Sequence, residues 1–182
     1  MSLRACLFAA MSVGACGLDK PDPVPLIDVY AFQRLDVAAD PFQDPLTLET
    51  PCDALQAEAK NFGGENAFDV DTDGCAHLAV SQPSLVPVYE GETMFLRVWH
   101  FELAGTAGDT VSFGVRIGDE EVLQRELTIP GPAGLDAPRW QASKDIPAGT
   151  PVYFHVRNHG SNSYALIELS VGGPFEQEEE EE

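Results

Sequence analysis

Short segments of alternating apolar and polar residues, separated by glycine and proline, constrain the fold of this 182-residue chain more than any other feature. In residues 111–117 every second side chain is apolar, while Ser112, Gly114 and Arg116 occupy the other side. A period of two residues is that of a half-buried β-strand, and no long amphipathic helix interrupts the series. We therefore predict an all-β chain folded as a single antiparallel β-sandwich of the jelly-roll type.

The same pattern predicts the other strands, at 68–73 and 76–81 around a turn at Gly74, and at 92–103, 122–129, 151–158 and 163–171. Residues 122–129 pair with 111–117 as a hairpin in this prediction, and 151–158 pairs with 163–171 as a second one. Residues 26–37 are expected to hold a first strand. Residues 53–60 are rich in helix formers, so we expect one or two helical turns there, with a strand as the alternative.

The C-terminal strands carry a resemblance to a known fold family. Residues 146–156 read IPAGTPVYFHV, and NHG at 158–160 and YALIELSV at 164–171 follow. This phrase resembles the closing strands of galactose-binding-like and prepeptidase-C-terminal-like sandwiches, in which an AGT turn enters a strand that ends in a hairpin. The resemblance covers only this stretch and implies the sandwich architecture, without specifying a ligand.

The N-terminus reads as an export signal. Residues 1–16 are MSLRACLFAAMSVGAC, with Arg4 as the one charge and an apolar stretch too short to span a membrane. The ending Val13-Gly14-Ala15-Cys16 resembles the bacterial lipobox, which implies cleavage before Cys16 and lipidation of its thiol. The alternative is an ordinary signal peptide that is cut at or near Ala15. Gly17 follows the cysteine in place of the aspartate that retains lipoproteins at the inner membrane, so the resemblance favours a lipid anchor in the outer membrane of the cell envelope.

These features predict four regions: a lipoprotein signal peptide at 1–15, a lipidated tether at 16–26, the β-sandwich at 27–174 and a disordered acidic tail at 175–182. The tether contains GLDKPDPVP, whose spaced prolines cannot sustain a helix or a central strand. Residues 176–182 contain six Glu and one Gln, a like-charge run that favours a solvated tail.

Charge excludes one class of partner. Ten Lys and Arg residues stand against 30 Asp and Glu, for a net charge of -20. Such a surface repels phosphate backbones, so nucleic acid is not expected as a partner. It also repels anionic lipid headgroups, so contact with a membrane is expected through the lipid anchor.

The four cysteines are consistent with an exported protein. Cys6 lies in the predicted signal peptide and Cys16 takes the lipid, which leaves Cys52 and Cys75. In an oxidising compartment we expect these two to form a disulfide, which would stabilise the fold by roughly 3 kcal/mol. The alternative is a pair of free thiols.

One motif resembles a cation site. Asp69, Asp71 and Asp73, followed by Gly74, match the first half of an EF-hand calcium loop. The twelfth position, which should be a bidentate Glu, is Val80, so this is not an EF-hand. Two interpretations stay open for these residues: an ordinary solvated strand edge and turn, and a shorter structural Ca²⁺ site. No other cofactor is expected.

Strand alternation also predicts a ligand-binding face. If Met94, Leu96 and Val98 face the core in one strand and Val152, Phe154 and Val156 do so in another, aromatic and basic residues lie on the opposite sides. If these strands share one sheet, a common surface holds Arg97, Trp99, Arg116, Tyr153, His155 and Arg157. Aromatic rings stack on sugars, and guanidinium groups donate to hydroxyls or carboxylates. The alternative places the aromatic residues in the core and pairs the arginines with Glu102 and Glu168.

Catalytic motifs are missing from the sequence. It contains no GxSxG, no HExxH, no phosphate-binding loop and no dinucleotide fingerprint. We therefore predict a non-catalytic, membrane-anchored module outside the cytoplasm that binds a glycan or an envelope protein. The alternatives are a structural or assembly lipoprotein that acts through its acidic surface, and a hydrolase with an unrecognised pair of carboxylates.

Overall fold

The computed structural model describes residues 22–42, 50–53, 56–158 and 160–172, and these form an all-β structure of two antiparallel sheets. Its elements, in chain order, are β1 (Val24–Pro25), β2 (Gln33–Arg34), the single 3-10 turn η1 (Val37–Ala39), β3 (Ala57–Phe62), β4 (Glu65–Asp71), β5 (His77–Pro83), β6 (Thr93–His100), β7 (Thr110–Ile117), β8 (Glu120–Thr128), β9 (Gly134–Asp136), β10 (Arg139–Gln141), β11 (Pro151–Asn158) and β12 (Ser163–Val171). The predicted all-β class is confirmed.

The two sheets differ in size and strand order. The seven-stranded sheet runs β10-β6-β12-β4-β3, with β1 also paired to β12 and β9 also paired to β6. The five-stranded sheet runs β2-β5-β11-β7-β8. Neighbouring strands in each sheet come mostly from distant parts of the sequence, so the fold depends on long-range pairing.

The core lies between the sheets and follows the predicted alternation. From β6 the inward residues are Met94, Leu96 and Val98, and from β11 they are Val152, Phe154 and Val156, all between 0% and 1% exposed. Burying a side chain of this size stabilises a fold by about 1.5–3 kcal/mol relative to leaving it exposed. The predicted inward faces of these strands and of β7 are therefore confirmed.

Local predictions failed where pairing outweighed propensity. Residues 57–62 form β3 because the strand pairs along its whole length with β4, from Ala57 opposite Val70 to Phe62 opposite Glu65. A continuous ladder of hydrogen bonds outweighs the weak helix preference of the segment. The expected first strand at 26–37 is reduced to the two-residue β2, while β1 and the buried Leu26 belong to the sandwich and not to a free tether.

The connections from β4 to β5 and from β11 to β12 were expected to be turns within one sheet, but both cross from one sheet to the other. The hairpin of β7 and β8 is confirmed. The predicted hairpin of β11 and β12 is wrong, because β11 lies in the five-stranded sheet and β12 in the other; β4 and β5 are divided in the same way. Since both sheets must bury one face in the common core, a chain that changes sheet keeps its apolar residues inside.

The two crossovers are held side by side by a buried polar network. The side-chain amide of Asn158 donates to the Thr72 hydroxyl at 2.6 Å, and the backbone N–H of Thr72 donates to the carbonyl oxygen of Asn162 at 2.9 Å. The predicted disulfide lies at the same end, with Cys52 and Cys75 bonded at 2.02 Å. Hydrogen bonds and a covalent bond therefore both hold the chain where it changes sheet.

Candidate functional site

The six predicted ligand residues lie on opposite outer faces of the sandwich. Arg97 and Trp99 are on β6, in the seven-stranded sheet. The other four are in the five-stranded sheet: Arg116 on β7, and Tyr153, His155 and Arg157 on β11. The expectation of one common surface is therefore wrong, because the strands belong to different sheets whose outer faces point away from each other.

The outer face of the seven-stranded sheet carries an apolar groove of about 270 Å³, which we name the aromatic groove. It is lined by Phe62, Glu65, Arg97, Trp99, Phe101, Leu135, Ala165 and Ile167. Phe62, Phe101 and Leu135 are 37%, 43% and 48% exposed, which is unusual for side chains of this size. The groove therefore offers apolar surface to solvent within a face that also carries charge.

Strand register explains the shape of the groove. Trp99 lies opposite Ala165 on β12 and opposite Leu135 on β9. The small Ala165 leaves the indole without a bulky neighbour on one side, while Leu135 bounds it on the other. The ring centroid of Phe101 lies 6.3 Å from that of Trp99 and 6.1 Å from that of Phe62, so three rings form one cluster.

An ion pair borders the aromatic groove. The Arg97 guanidinium donates to both carboxylate oxygens of Glu65, at 2.8 and 3.1 Å, and lies 3.8 Å from a carboxylate oxygen of Glu168. The hydrogen bonds from Arg97 hold the pKa of the Glu65 carboxyl below its usual value. A break in register between Leu166 and Glu168 allows Ile167 and Glu168 both to reach the outer face. Charged donors and acceptors therefore stand beside the aromatic cluster.

A second groove of about 460 Å³ continues from the first. It shares Glu65, Arg97 and Ile167 with the aromatic groove and extends to Tyr30, which is 66% exposed. The two grooves together form a track across the outer face of the seven-stranded sheet. We name this outer face the open face. The Arg97–Glu65 ion pair lies where the two parts meet.

The outer face of the five-stranded sheet is instead covered by the segment at 37–42, and we name it the covered face. Arg116 donates to the carbonyl oxygens of Pro41 and Asp119, at 3.0 Å each, and its guanidinium lies 5.7 Å from the ring centroid of Phe42. The Phe42 ring stacks on the imidazole of His155 at 5.3 Å. Two of the predicted ligand residues, Arg116 and His155, are therefore packed against the chain itself, while Tyr153 and Arg157 are half-buried on β11.

The segment itself contributes a carboxylate, that of Asp40, which is buried between two histidines of the sheet. Asp40 Oδ2 lies 2.6 Å from His155 Nδ1 and 3.1 Å from His77 Nε2, and the backbone N–H of Phe42 donates to Oδ1 at 3.0 Å. Burial alone would raise the pKa of Asp40, but these hydrogen bonds outweigh it and hold the pKa well below its usual range. Asp40 is therefore an ionised carboxylate with a fully buried side chain.

The three aspartates of the predicted calcium site take different roles. Asp69 is buried and pairs with the Lys60 ammonium at 2.8 Å, and Asp71 Oδ1 accepts the backbone N–H of Asp73 at 2.9 Å. Burial raises the pKa of Asp69, although the ion pair with Lys60 opposes this shift. Within the described ranges, the one group of three donors that converges is Asp40, His77 and His155. Calcium binding at this turn stays a prediction.

The sequence predicted only Arg97 and Trp99 among the eight residues that line the aromatic groove, and it missed Phe62, Glu65, Phe101, Leu135, Ala165 and Ile167. Phe62 precedes a Gly-Gly turn, Glu65 follows it, and Leu135 lies on a three-residue strand too short to predict. An apolar residue beside a tight turn is a weak signal for exposure. The pairing of β3 with β4, of β4 with β12 and of β12 with β6 brings Phe62 and Glu65 to Trp99 and Arg97. The pairing of β9 with β6 brings Leu135 there.

The fold is that of the β-sandwiches known from carbohydrate-binding modules. A structure of the module TmCBM27, described in terms of specific mannan recognition, matches with a TM-score of 0.51, 7% identity, and coverage of 85% of this chain and 97% of that one. TmCBM61 in complex with β-1,4-galactotriose matches with a TM-score of 0.45 and 12% identity over 81% and 97% of the two chains. No protein-family model and no curated protein matches the sequence. At 7% identity the likeness to TmCBM27 shows the fold alone.

Within the described ranges, no helix has the length and apolar character needed to cross a membrane. Cys16, the predicted lipidation site, lies outside the described residues, as do most of the predicted tether and the acidic tail.

Proposed function

We propose that this protein is a glycan-binding module and that its ligand lies along the open face. The observation that carries the proposal is the cluster of Phe62, Trp99 and Phe101 beside the Arg97–Glu65 ion pair. No described segment of the chain covers this cluster, whereas the opposite face is covered. A solvent-exposed apolar groove bordered by polar groups is typical of a binding site.

The chemistry of the groove suits a sugar ring. Pyranose rings have an apolar face of C–H groups that packs on aromatic side chains, while their hydroxyls need hydrogen-bond partners. Trp99 and Phe101 offer the apolar surface, Arg97 offers charged donors, and Glu65 and Glu168 offer acceptors. Because the second groove continues past the ion pair, an oligosaccharide of several units fits this track better than a monosaccharide.

The charge state of the groove supports binding without catalysis. Glycoside hydrolysis requires one carboxylic acid that stays protonated until it donates to the leaving oxygen. Glu65 has a lowered pKa because Arg97 donates to it, so it is ionised near neutral pH and cannot serve as that acid. The described carboxyl with a raised pKa, Asp69, is buried and does not line either groove. We therefore propose a non-catalytic role.

We also propose that the module is held at the cell envelope, in the outer membrane, by lipid on Cys16. The disulfide between Cys52 and Cys75 supports an oxidising compartment. Intact-mass measurement of the mature protein tests this part separately. A mass increase that matches diacylglycerol, lost in Cys16→Ala, is expected; an unmodified Cys16 would remove the anchor and leave the glycan proposal in place.

Glycan binding is tested with the soluble chain on a glycan array, followed by calorimetry with the best oligosaccharide. Mannan and manno-oligosaccharides belong in the panel because a mannan-binding module shares the fold. We expect Trp99→Ala and Phe101→Ala each to weaken binding at least tenfold. Tyr89→Ala is the matched control, since Tyr89 is a 59% exposed aromatic residue outside the groove, and it should bind normally. Equal binding by all three variants, or no binding to any glycan by the parent chain, contradicts the proposal.

A further inference from the structure

The cluster of Asp40, His77 and His155 is not used by the proposed glycan site, because it lies on the opposite face. Its three donor atoms, the Asp40 carboxylate oxygen and one ring nitrogen from each histidine, lie within 4.8 Å of one another. The side chains of Asp40, His77 and His155 are 0%, 12% and 8% exposed. Polar side chains are costly to bury, so three metal-ligating atoms that converge away from water mark a candidate metal site.

The distances are close to those of a tetrahedral metal centre. Zinc binds imidazole nitrogen and carboxylate oxygen at about 2.0–2.2 Å, which places neighbouring ligand atoms about 3.4 Å apart. In the hydrogen-bonded arrangement the Asp40 oxygen lies 2.6 Å from His155 Nδ1 and 3.1 Å from His77 Nε2. An ion at the centre of this group requires these two distances to lengthen by less than about 1 Å, and it requires the two ring nitrogens, which lie within 4.8 Å of each other, to settle about 3.4 Å apart. Rotations of the imidazole rings can supply both changes.

The backbone presents these ligands in a defined way. His77 on β5 and His155 on β11 come from paired strands, in which His77 lies opposite Arg157 and His155 lies opposite Ala79. Both imidazoles therefore project from the same face of the sheet, one diagonal step apart, with ring centroids separated by 5.3 Å. Two ligands on a rigid sheet need only one further ligand from a loop to define a site.

The loop that supplies Asp40 is held down by contacts of its own. A Cβ added to Gly114 would lie 2.5 Å from Cε1 of Phe42, so glycine at this position gives the Phe42 ring room against the sheet. Arg116 donates to the Pro41 carbonyl and lies over the same ring. Groups behind the ligands that fix their orientation are the usual second layer of a metal site.

The donor set indicates the class of metal. Ca²⁺ and Mg²⁺ prefer oxygen ligands, whereas two imidazole nitrogens and one carboxylate oxygen suit Zn²⁺ and related divalent transition metals. His77, the most exposed of the three, leaves a direction from which water can complete the coordination.

We propose that Asp40, His77 and His155 bind one divalent transition-metal ion of the zinc type, which fastens the segment at 37–42 to the five-stranded sheet. This inference is independent of the glycan proposal, since it concerns the other face. His155 binds the ion through Nδ1 and His77 through Nε2, each imidazole carries its proton on the other ring nitrogen, and one water completes a four-coordinate shell. Its expected role is to keep the covered face closed.

The test uses the full mature chain without a histidine tag, stripped with EDTA and returned to pH 7.5. We expect calorimetry with Zn²⁺ to give one equivalent per chain and thermal melting to shift upward, while Ca²⁺ produces no shift through this site. Co²⁺, as a spectroscopic substitute, should give the visible d–d bands of a four-coordinate ion. His77→Gln keeps a hydrogen-bonding side chain but removes the ligand, and it should weaken Zn²⁺ binding at least 100-fold.

Two controls make the result decisive. Asp73→Asn removes an exposed carboxylate at the other predicted cation site and should leave Zn²⁺ binding unchanged. His155→Gln removes the ligand that β11 supplies and should also weaken Zn²⁺ binding. If this variant does not fold, the proposal is tested by His77→Gln and by the Co²⁺ spectrum. Zn²⁺ binding that persists in His77→Gln belongs to the acidic tail or another surface and overturns the proposal. The absence of a stoichiometric Zn²⁺ signal in the parent chain overturns it as well.

Discussion

The two outer faces of the sandwich carry the same kinds of residues and use them differently. On the open face Trp99, Phe101 and Arg97 reach solvent, whereas on the covered face Phe42, His155 and Arg116 are packed under or against the chain's own segment. Aromatic and basic residues are therefore not a signature of binding by themselves. What differs is whether another part of the chain covers the strand, and that depends on where the segment after β2 runs.

Each face also holds one buried aspartate, and the two have opposite pKa shifts. Asp40 accepts hydrogen bonds on both oxygens, and its pKa is lowered. Oδ2 of Asp69 accepts a hydrogen bond from the Lys60 ammonium, while Oδ1 has no hydrogen-bond partner among the described residues. Burial raises the pKa of Asp69. A complete set of donors therefore decides whether a buried carboxylate stabilises the folded state as an anion.

The largest effect on stability is expected from Asp40→Ala, measured by urea unfolding in EDTA. The change leaves His77 and His155 without their acceptor, and we expect a loss of about 2–4 kcal/mol at pH 7. Because the pKa of Asp40 is lower in the folded state, its contribution is present above about pH 4 and is lost as the pH falls further. The difference between parent and variant should therefore shrink at pH 3. A parallel loss of glycan binding at pH 7 would show that the two faces are coupled.

A smaller effect is expected from Lys60→Met, and here too the difference between parent and variant should shrink as the pH falls. The Lys60 side chain is 38% exposed, so solvent screening reduces the strength of its ion pair with Asp69. We expect the free energy of unfolding to decrease by about 1–2 kcal/mol at pH 7. The pKa of Asp69 is already raised and rises further without the ammonium, so protonation as the pH falls removes the buried charge. Urea unfolding should show parent and variant converging toward pH 4. A difference that grows on acidification contradicts this account.

The smallest effect on stability is expected from Arg97→Ala. The ion pair with Glu65 is solvent-exposed, and such pairs contribute little because water and salt screen them. The melting temperature should be unchanged within error, while affinity for the glycan falls about tenfold through the loss of a charged donor. Calorimetry and thermal melting on the same sample test both halves. A large drop in melting temperature would make Arg97 a structural residue and weaken its role in binding.

The strands were predictable because their pattern is local. Val111 to Ile117 and Val152 to Val156 alternate within a few residues, so their inward faces follow from the chain alone. The disulfide was also predictable, because removing Cys6 and Cys16 from the count leaves a single pair. The strand at 57–62 was misjudged since its partner ladder with β4 lies outside any local window.

The candidate site was predictable only in part. Arg97 and Trp99 were identified as outward-facing residues of a strong strand, but Phe62, Glu65 and Leu135 come from β3, β4 and β9 and meet them only through pairing. The cluster of Asp40 with two histidines had no sequence signal at all, since its members are 37 and 78 residues apart along the chain. His155 was expected to face a ligand and instead contacts Asp40.

Amino-acid order alone therefore indicated the all-β class, the inward side of each strong strand and the expected pairing of Cys52 with Cys75, because these depend on near neighbours or on simple counting. The assignment of strands to sheets, and with it the separation of Arg97 from Arg116, was decided only by the folded structure. The reason is physical: alternation orients a side chain relative to its own strand, but long-range hydrogen-bonded pairing determines which face of the molecule that strand joins.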